Sequence, residues 1–289
     1  FTLLDLIAAF EPGGYAAAIE VVRAASGGRS LAMIPEEWAP LSAVQRAPGW
    51  EPWPIALPPH FEPLRGHHPY TARRGFDLDN LLRLGTGICT WGRYQDRLVF
   101  PVRRYDGSWI YYQSRATWEK SEHVPTGPKD KYRKNLNPPN DDPMRFASAG
   151  DVLLGLEHVQ LGGYTRGALV EGPTDWLQSG PDAVALFGKV ISDRQVELLV
   201  RAGVREVDVC LDPDAWAPPT TRTPDGREMP MDRPPPARVV CDRLAPHVAV
   251  RVVRYENDLD PGACGVADNR ARRAYAESWG TGSRLMRIL

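Results

Sequence analysis

The sequence has little that marks a membrane, secreted or simple nucleic-acid-coating protein. No apolar run approaches the ~18 residues that a spanning helix needs. The apolar stretch 3–10 lacks the basic flank and small-residue cleavage site of a signal peptide. Only four cysteines are present, Cys89, Cys210, Cys241 and Cys264, with no C-x-x-C pair and no finger-like Cys/His spacing. That excludes a disulfide framework and a structural zinc site, and buried free thiols are expected. An excess of positive charge is missing as well, because 35 Lys+Arg face 36 Asp+Glu. A polycation that coats nucleic acid is thereby excluded. What remains is an expected cytoplasmic, globular chain of 289 residues, 43% hydrophobic and 25% charged, large enough for one large or two modest domains.

The charge is unevenly placed. Residues 61–160 are net basic and both flanks are net acidic, and Lys129, Lys131, Arg133 and Lys134 crowd together. Upstream, Thr2 and Asp5 match a helix cap, with Leu3, Leu6, Ile7 and Phe10 at helical spacing, and Tyr15, Ala18, Ile19 and Val22 predict a second helix. Residues 35–63 hold eight prolines, which no regular element tolerates, so 31–63 is read as a linker or extended arm.

Beyond Gly163 the pattern changes to short apolar runs separated by helical segments. The runs are 167–170 (G-A-L-V), 183–187 (A-V-A-L-F), 204–211 and 248–253 (V-A-V-R-V-V). Helix signals lie between them: Asp175 to Gln178, a capping-box spacing at Ser192 and Gln195, and Val239, Val240 and Leu244 after a proline-rich loop at 217–236. Such alternation predicts parallel βαβ units with right-handed crossovers. Ligand sites in open α/β sheets form at the carboxyl ends of strands. Acidic residues fall at three of those ends: Glu171 after the first run, Asp212 and Asp214 after the third, Asp258 and Asp260 after the fourth. Carboxylates gathered this way repel and call for protonation or divalent cations. Short oxygen ligands suit Mg²⁺ or Mn²⁺ better than zinc.

These residues resemble a Toprim domain, the metal-binding fold shared by DnaG-type primases, topoisomerases and some nucleases. The resemblance is carried by V-E-G-P-T-D at 170–175 and V-C-L-D-P-D-A at 209–215. It implies that Glu171 is the Toprim glutamate, that Asp212 and Asp214 are the metal-binding pair, and that Asp175 is the acidic residue four positions after the glutamate. In the third cluster either Asp258 and Asp260 fill the two acidic places, or Asp260-Pro261 aligns and the second place is Gly262.

Upstream segments resemble DnaG-type primases in particular, and in the family's order. They are Arg74-Gly75-Phe76 to Gly85, R-L-V-F-P-V-R at 97–103, Gly107 with Gln113-Ser114-Arg115, K-Y-R-K-N-L-N-P at 131–138, and V-L-L-G-L at 152–156. The first 25 residues resemble the two helices that follow the zinc-binding module of such primases, and that module has no counterpart here.

The resemblance implies an α/β architecture of four parts. Helices occupy 1–30 and the proline-rich linker 31–63. A basic mixed α/β subdomain at 64–160 precedes a Toprim catalytic domain at 161–289, a parallel βαβ sheet flanked by helices. It implies a DNA primase that makes short RNA primers on single-stranded DNA from NTPs, using two or more Mg²⁺ or Mn²⁺ ions held by Glu171, Asp175, Asp212, Asp214, Asp258 and Asp260. Glu171, Asp212 and Asp214 would be catalytic. Arg97, Arg103, Arg115, Lys131, Arg133, Lys134 and Asn135 would face nucleotide or DNA, and a replicative helicase is a possible partner. The competing readings are a Toprim-type metal-dependent nuclease and a degenerate, non-catalytic nucleotide- or DNA-binding module.

Overall fold

A computed structural model of the chain describes residues 49–118, 134–139, 142–222, 227–255 and 259–280. The helices expected at 1–30, the first part of the proline-rich stretch, and Lys131, Arg133 and Asp258 lie outside the described residues. From Pro52 onward the described residues belong to one compact unit.

The first layer is a five-stranded antiparallel sheet in the order β1 (Phe61–Pro63), β2 (Gly87–Cys89), β3 (Arg97–Arg103), β4 (Trp109–Ala116) and β5 (Asn135–Leu136). Two short helices precede β2. Helix α1 (Pro69–Arg73) starts with Pro at its first position and the His68 ring accepting from Tyr70 N–H. Helix α2 (Leu78–Leu84) is capped by Asp77, whose carboxylate accepts from Asn80 N–H at 2.8 Å, and it stops at Gly85, where φ is +71°. β3 reads as a near-continuous apolar run because it is central: Leu98, Val99, Phe100 and Val102 are all buried.

The second layer is a mixed five-stranded sheet. Strands β6 (Arg166–Val170), β7 (Ala183–Ala185), β8 (Glu206–Val209) and β11 (Ala249–Val252) pair in parallel. Strand β12 (Glu277–Ser278) closes one edge antiparallel, giving the order β12-β11-β8-β6-β7. The crossovers carry α4 (Pro173–Leu177), α5 (Asp193–Arg201) and α6 (Pro236–Leu244). Helix α5 begins with the reciprocal capping box expected at Ser192 and Gln195. Side chains alternate with period two along β6: Ala168 and Val170 face one core, Leu169 the other.

That alternation joins the layers. Phe100, Val102 and Tyr111 of the first sheet share a core with Ala168, Val170, Ala183 and Ala185 of the second, around a fully buried Trp176. The opposite face of the second sheet is covered by Val196 and Leu199 of α5 and Val240 and Leu244 of α6. Asp208 of β8, 0% exposed, accepts three hydrogen bonds from Arg166 of β6 and one at 2.9 Å from Arg273 of α7 (Val266–Ala274). Arg273 also pairs with Asp182 at 2.7 Å, so the buried charge is fully compensated and α7 is bolted to the sheet.

Two sequence boundaries differ from this architecture. The proline-rich stretch is not a linker throughout. Trp53 N–H donates to the Arg145 carbonyl, Ile55 N–H to the Trp109 carbonyl, and residues 61–63 form β1 against β2. Prolines are accepted there because β1 is an edge strand. The expected division at 160/161 falls inside α3 (Leu156–Gly162), and one core spans it. The 217–236 loop also carries a small antiparallel hairpin, β9 (Thr220–Arg222) with β10 (Glu228–Pro230).

Candidate metal centre

Parallel pairing puts the carboxyl ends of β6, β7 and β8 on one rim of the second sheet, and the acidic residues follow there. Glu171 is the residue after β6. Asp212 and Asp214 lie in the turn after β8, where Asp212 leads into the short 3₁₀ segment Pro213–Trp216. Glu171, Asp212 and Asp214 each offer one carboxylate oxygen, all within 4.8 Å of one another. Glu171 Oε2 and Asp212 Oδ1 are buried and have no hydrogen-bond partner among the described residues. Converging, desolvated carboxylate oxygens without donors are the arrangement a hard divalent cation satisfies, so the residues present fit such an ion.

The electrostatics agree. Burial, then the neighbouring Asp212, push Glu171 up to about 7, with Lys189 opposing. Burial, then Asp260 and Asp214, push Asp212 up to about 6, opposed by Lys189 and Lys134. Asp175 is pushed up to about 8 by burial and by Asp212, although it accepts the Gly172 N–H at 2.8 Å and so caps α4. Each group resists a charge that the others already carry.

The candidate residues from the sequence are only partly brought together. Asp175 lines the cluster with one oxygen committed to capping. Asp260 raises the carboxylates of Glu171, Asp175 and Asp212 and accepts the Ala263 N–H at 2.6 Å. At position 262 the backbone itself fills the space: a Cβ there would lie 2.6 Å from Asp175 Oδ1 and 3.3 Å from Asp260 Oδ1. Asp258 lies outside the described residues, so both alignments of this segment stay open.

Among the basic candidates, Arg115 of β4 is held by the Tyr70 hydroxyl at 3.2 Å and by Thr174 Oγ1 at 3.5 Å, next to Asp175. Lys134 is exposed and close enough to Asp212 to favour its charged form. Asn135 follows it, exposed, on edge strand β5. Arg97 and Arg103 do not reach the cluster. Arg97 is 1% exposed, stacks on Trp118 and donates to the Lys134 carbonyl at 3.3 Å, because both faces of β3 are covered. Arg103, at the other end of β3, donates to the Arg83 carbonyl at the end of α2 and lies over Trp109. Tyr111 and Tyr112 of β4 are buried in the core. The sequence reading missed Lys189, whose ammonium pairs with Asp214. The available signal was its place just past a parallel strand end, the same place that flagged Glu171.

Two sheets, one antiparallel and one mixed with acidic strand ends, define a mixed α/β protein with the fold of the DnaG-type primase catalytic core. The chain superposes on the Aquifex aeolicus primase (zinc-binding and RNA polymerase domains) with a TM-score of 0.56 and 18% identity over 76% of this chain and 59% of that one. For the RNA polymerase domain of Mycobacterium tuberculosis primase DnaG the TM-score is 0.52 at 17% identity, covering 72% and 75%. For a DnaG primase catalytic domain bound to single-stranded DNA it is 0.51 at 20% identity, covering 72% and 71%. In sequence, an uncharacterised Mycoplasma genitalium protein is 29% identical over 151 residues, 50% of this chain. The chain thus spans 61% of that relative's length. No family model matches the chain. No described helix is long and apolar enough to cross a membrane.

Proposed function

We propose that this chain is the catalytic core of a DNA primase, a nucleotidyltransferase that extends RNA on a single-stranded DNA template from NTPs. The observation that carries the proposal is the convergence of Glu171, Asp212 and Asp214 at the rim of the second sheet, within a primase-like fold. On this reading the second sheet with its helices is a Toprim domain, and the first sheet forms the basic subdomain. Glu171, Asp212 and Asp214 would hold Mg²⁺ or Mn²⁺, with Asp260 and Asp175 behind them. When bound, the ion supplies charge neutralisation for attack of a ribose 3′-hydroxyl on the α-phosphate and release of pyrophosphate.

The chain's own residues do the positioning. Arg115, fixed by Tyr70 and Thr174, presents a planar cation beside the carboxylates, suited to phosphate oxygens. Lys134 adds a second positive charge near Asp212. Arg97 acts through it, holding the Lys134 carbonyl from inside the sheet. Asp175 fixes the start of α4, and with it the Glu171-Gly172 turn, through its bond to Gly172.

The test is extension of an RNA primer annealed to single-stranded DNA with NTPs and Mn²⁺, comparing the chain with Glu171→Gln and Asp212→Asn. Loss of about 100-fold or more in both folded variants is expected, the scale of removing preorganised charge stabilisation. Metal-dependent shortening of the DNA, with no extension, would replace this reading by a nuclease.

A further inference from the structure

The carboxylate cluster has a cation of its own. Lys189 lies in the turn after β7, and its ammonium pairs with the carboxylate of Asp214. The turn is built to hold it there. Phe187 keeps φ at +64°, a left-handed conformation that a bulky residue adopts only where its surroundings over-determine it. Its ring packs edge-on against Tyr111, with centroids 5.3 Å apart. The next residue, Gly188, donates its N–H to the Glu171 carbonyl at 3.1 Å. Lys189, one position further, is therefore tied by backbone to the residue that carries the cluster's glutamate. Its charge also favours the ionised forms of Glu171 and Asp212. An ammonium seated on one of three candidate ligands competes with any ion that needs that oxygen.

We propose that Lys189 is a tethered counter-cation. It occupies Asp214 in the free site and yields it to a divalent ion when a polyphosphate draws the ammonium away. The inference rests on the reading of the cluster as the cation site of a nucleotide-using enzyme, and it adds a rule for loading that site. Cation binding and polyphosphate binding are coupled through one side chain, and the coupling is reciprocal. An ammonium is the right group for the exchange, because it is a compact point charge on a flexible stem and binds carboxylate or phosphate alike.

The experiment is a Mn²⁺ titration of the full chain followed by electron paramagnetic resonance, with and without pyrophosphate and with free Mn²⁺ fixed by a chelating buffer. Lys189→Met, Lys189→Arg and Asp212→Asn are compared with the original sequence, each checked for folding by circular dichroism. Without pyrophosphate, Lys189→Met should bind Mn²⁺ about three- to tenfold more tightly, the effect of removing one like charge near a surface. The affinity gain that pyrophosphate gives should shrink in Lys189→Met and persist in Lys189→Arg. Unchanged or weaker Mn²⁺ binding in Lys189→Met, or an undiminished pyrophosphate effect, overturns the role of Lys189. Asp212→Asn separates the two layers of the argument. If it binds Mn²⁺ as the original chain does, the cation-site reading itself falls. If it loses Mn²⁺ while Lys189→Met gains nothing, only the role of Lys189 falls.

Discussion

Glu171 and Asp212 sit in the fold with their carboxyls held above the ordinary range, at about 7 and about 6. A carboxylate whose folded value is raised contributes stability that is present below its unfolded value, near 4, and is lost as pH rises through the folded value. Asp175, pushed up to about 8, adds to this with the same sign. The metal-free chain should therefore lose several kcal/mol between pH 4 and pH 8, on the order of 1.4 kcal/mol for each tenfold change in acidity before solvent screening reduces it. Saturating Mg²⁺ should restore most of this at pH 8, and Asp212→Asn should flatten the curve; urea titrations across pH measure both. Glu157 adds a second part of the same sign. It is 4% exposed and pushed up to about 7 by burial, with Arg103 opposing, but it lies apart from the cluster. Glu157→Gln should raise stability at pH 8 whether or not Mg²⁺ is present. Gly262→Ala would place a methyl group 2.6 Å from Asp175 Oδ1 and should weaken Mn²⁺ binding several-fold with the fold retained. At this scale Glu171 and Asp212 were legible because each follows an apolar strand run directly, whereas Asp175 and Asp260 lie further on. Lys189 was not, since its direction depends on the left-handed backbone at Phe187. The burial of Arg97 was not legible either, because only the neighbouring strands of the sheet cover it.

Elements carry the next level of prediction. Asp208 links β6, β8 and α7 through a wholly buried carboxylate with Arg166 and Arg273 on it. Asp208→Ala removes the carboxylate the two guanidinium groups share, leaving Arg273 only Asp182 and Arg166 only Glu206 as acidic partners among the described residues, and should cost at most about 3 to 5 kcal/mol in urea unfolding. Arg238→Ala removes an exposed i,i+4 partner of Asp242 and should cost under about 1 kcal/mol. Equal losses in the two variants would contradict the clamp. The strands β6, β8 and β11 were readable as short apolar runs, and α5 from its cap and amphipathic spacing. β7 stops at Ala185, short of the apolar run's end, because the chain turns at Phe187. The β9–β10 hairpin and the β1 edge were hidden because proline-rich segments carry no periodicity, and their pairing is decided by the sheet they meet.

Across the whole molecule, a net charge of -1 hides an arrangement by location. Acidic strand ends of the second sheet meet Arg115 and Lys134 at one end of the first, with a continuous apolar core between the layers. On the proposed function, single-stranded DNA binding should weaken with salt, and the log–log slope should fall by about 0.7 for each phosphate contact removed. Lys134→Ala should lower the slope by about that amount, and fluorescence anisotropy across a salt series reads it. The parallel sheet was legible in outline, because alternating runs announce βαβ units, whereas the antiparallel first sheet was not. The seam was not, because Val170 and Trp176 of the second layer and Phe100 of the first belong to one core that no local pattern announces. The account as a whole turns on Glu171, Asp212 and Asp214 acting as one cation site. Anomalous diffraction from Mn²⁺-soaked crystals measures this directly: the account predicts a peak within coordinating distance of all three carboxylates, and a peak elsewhere, or none at the cluster, would contradict it.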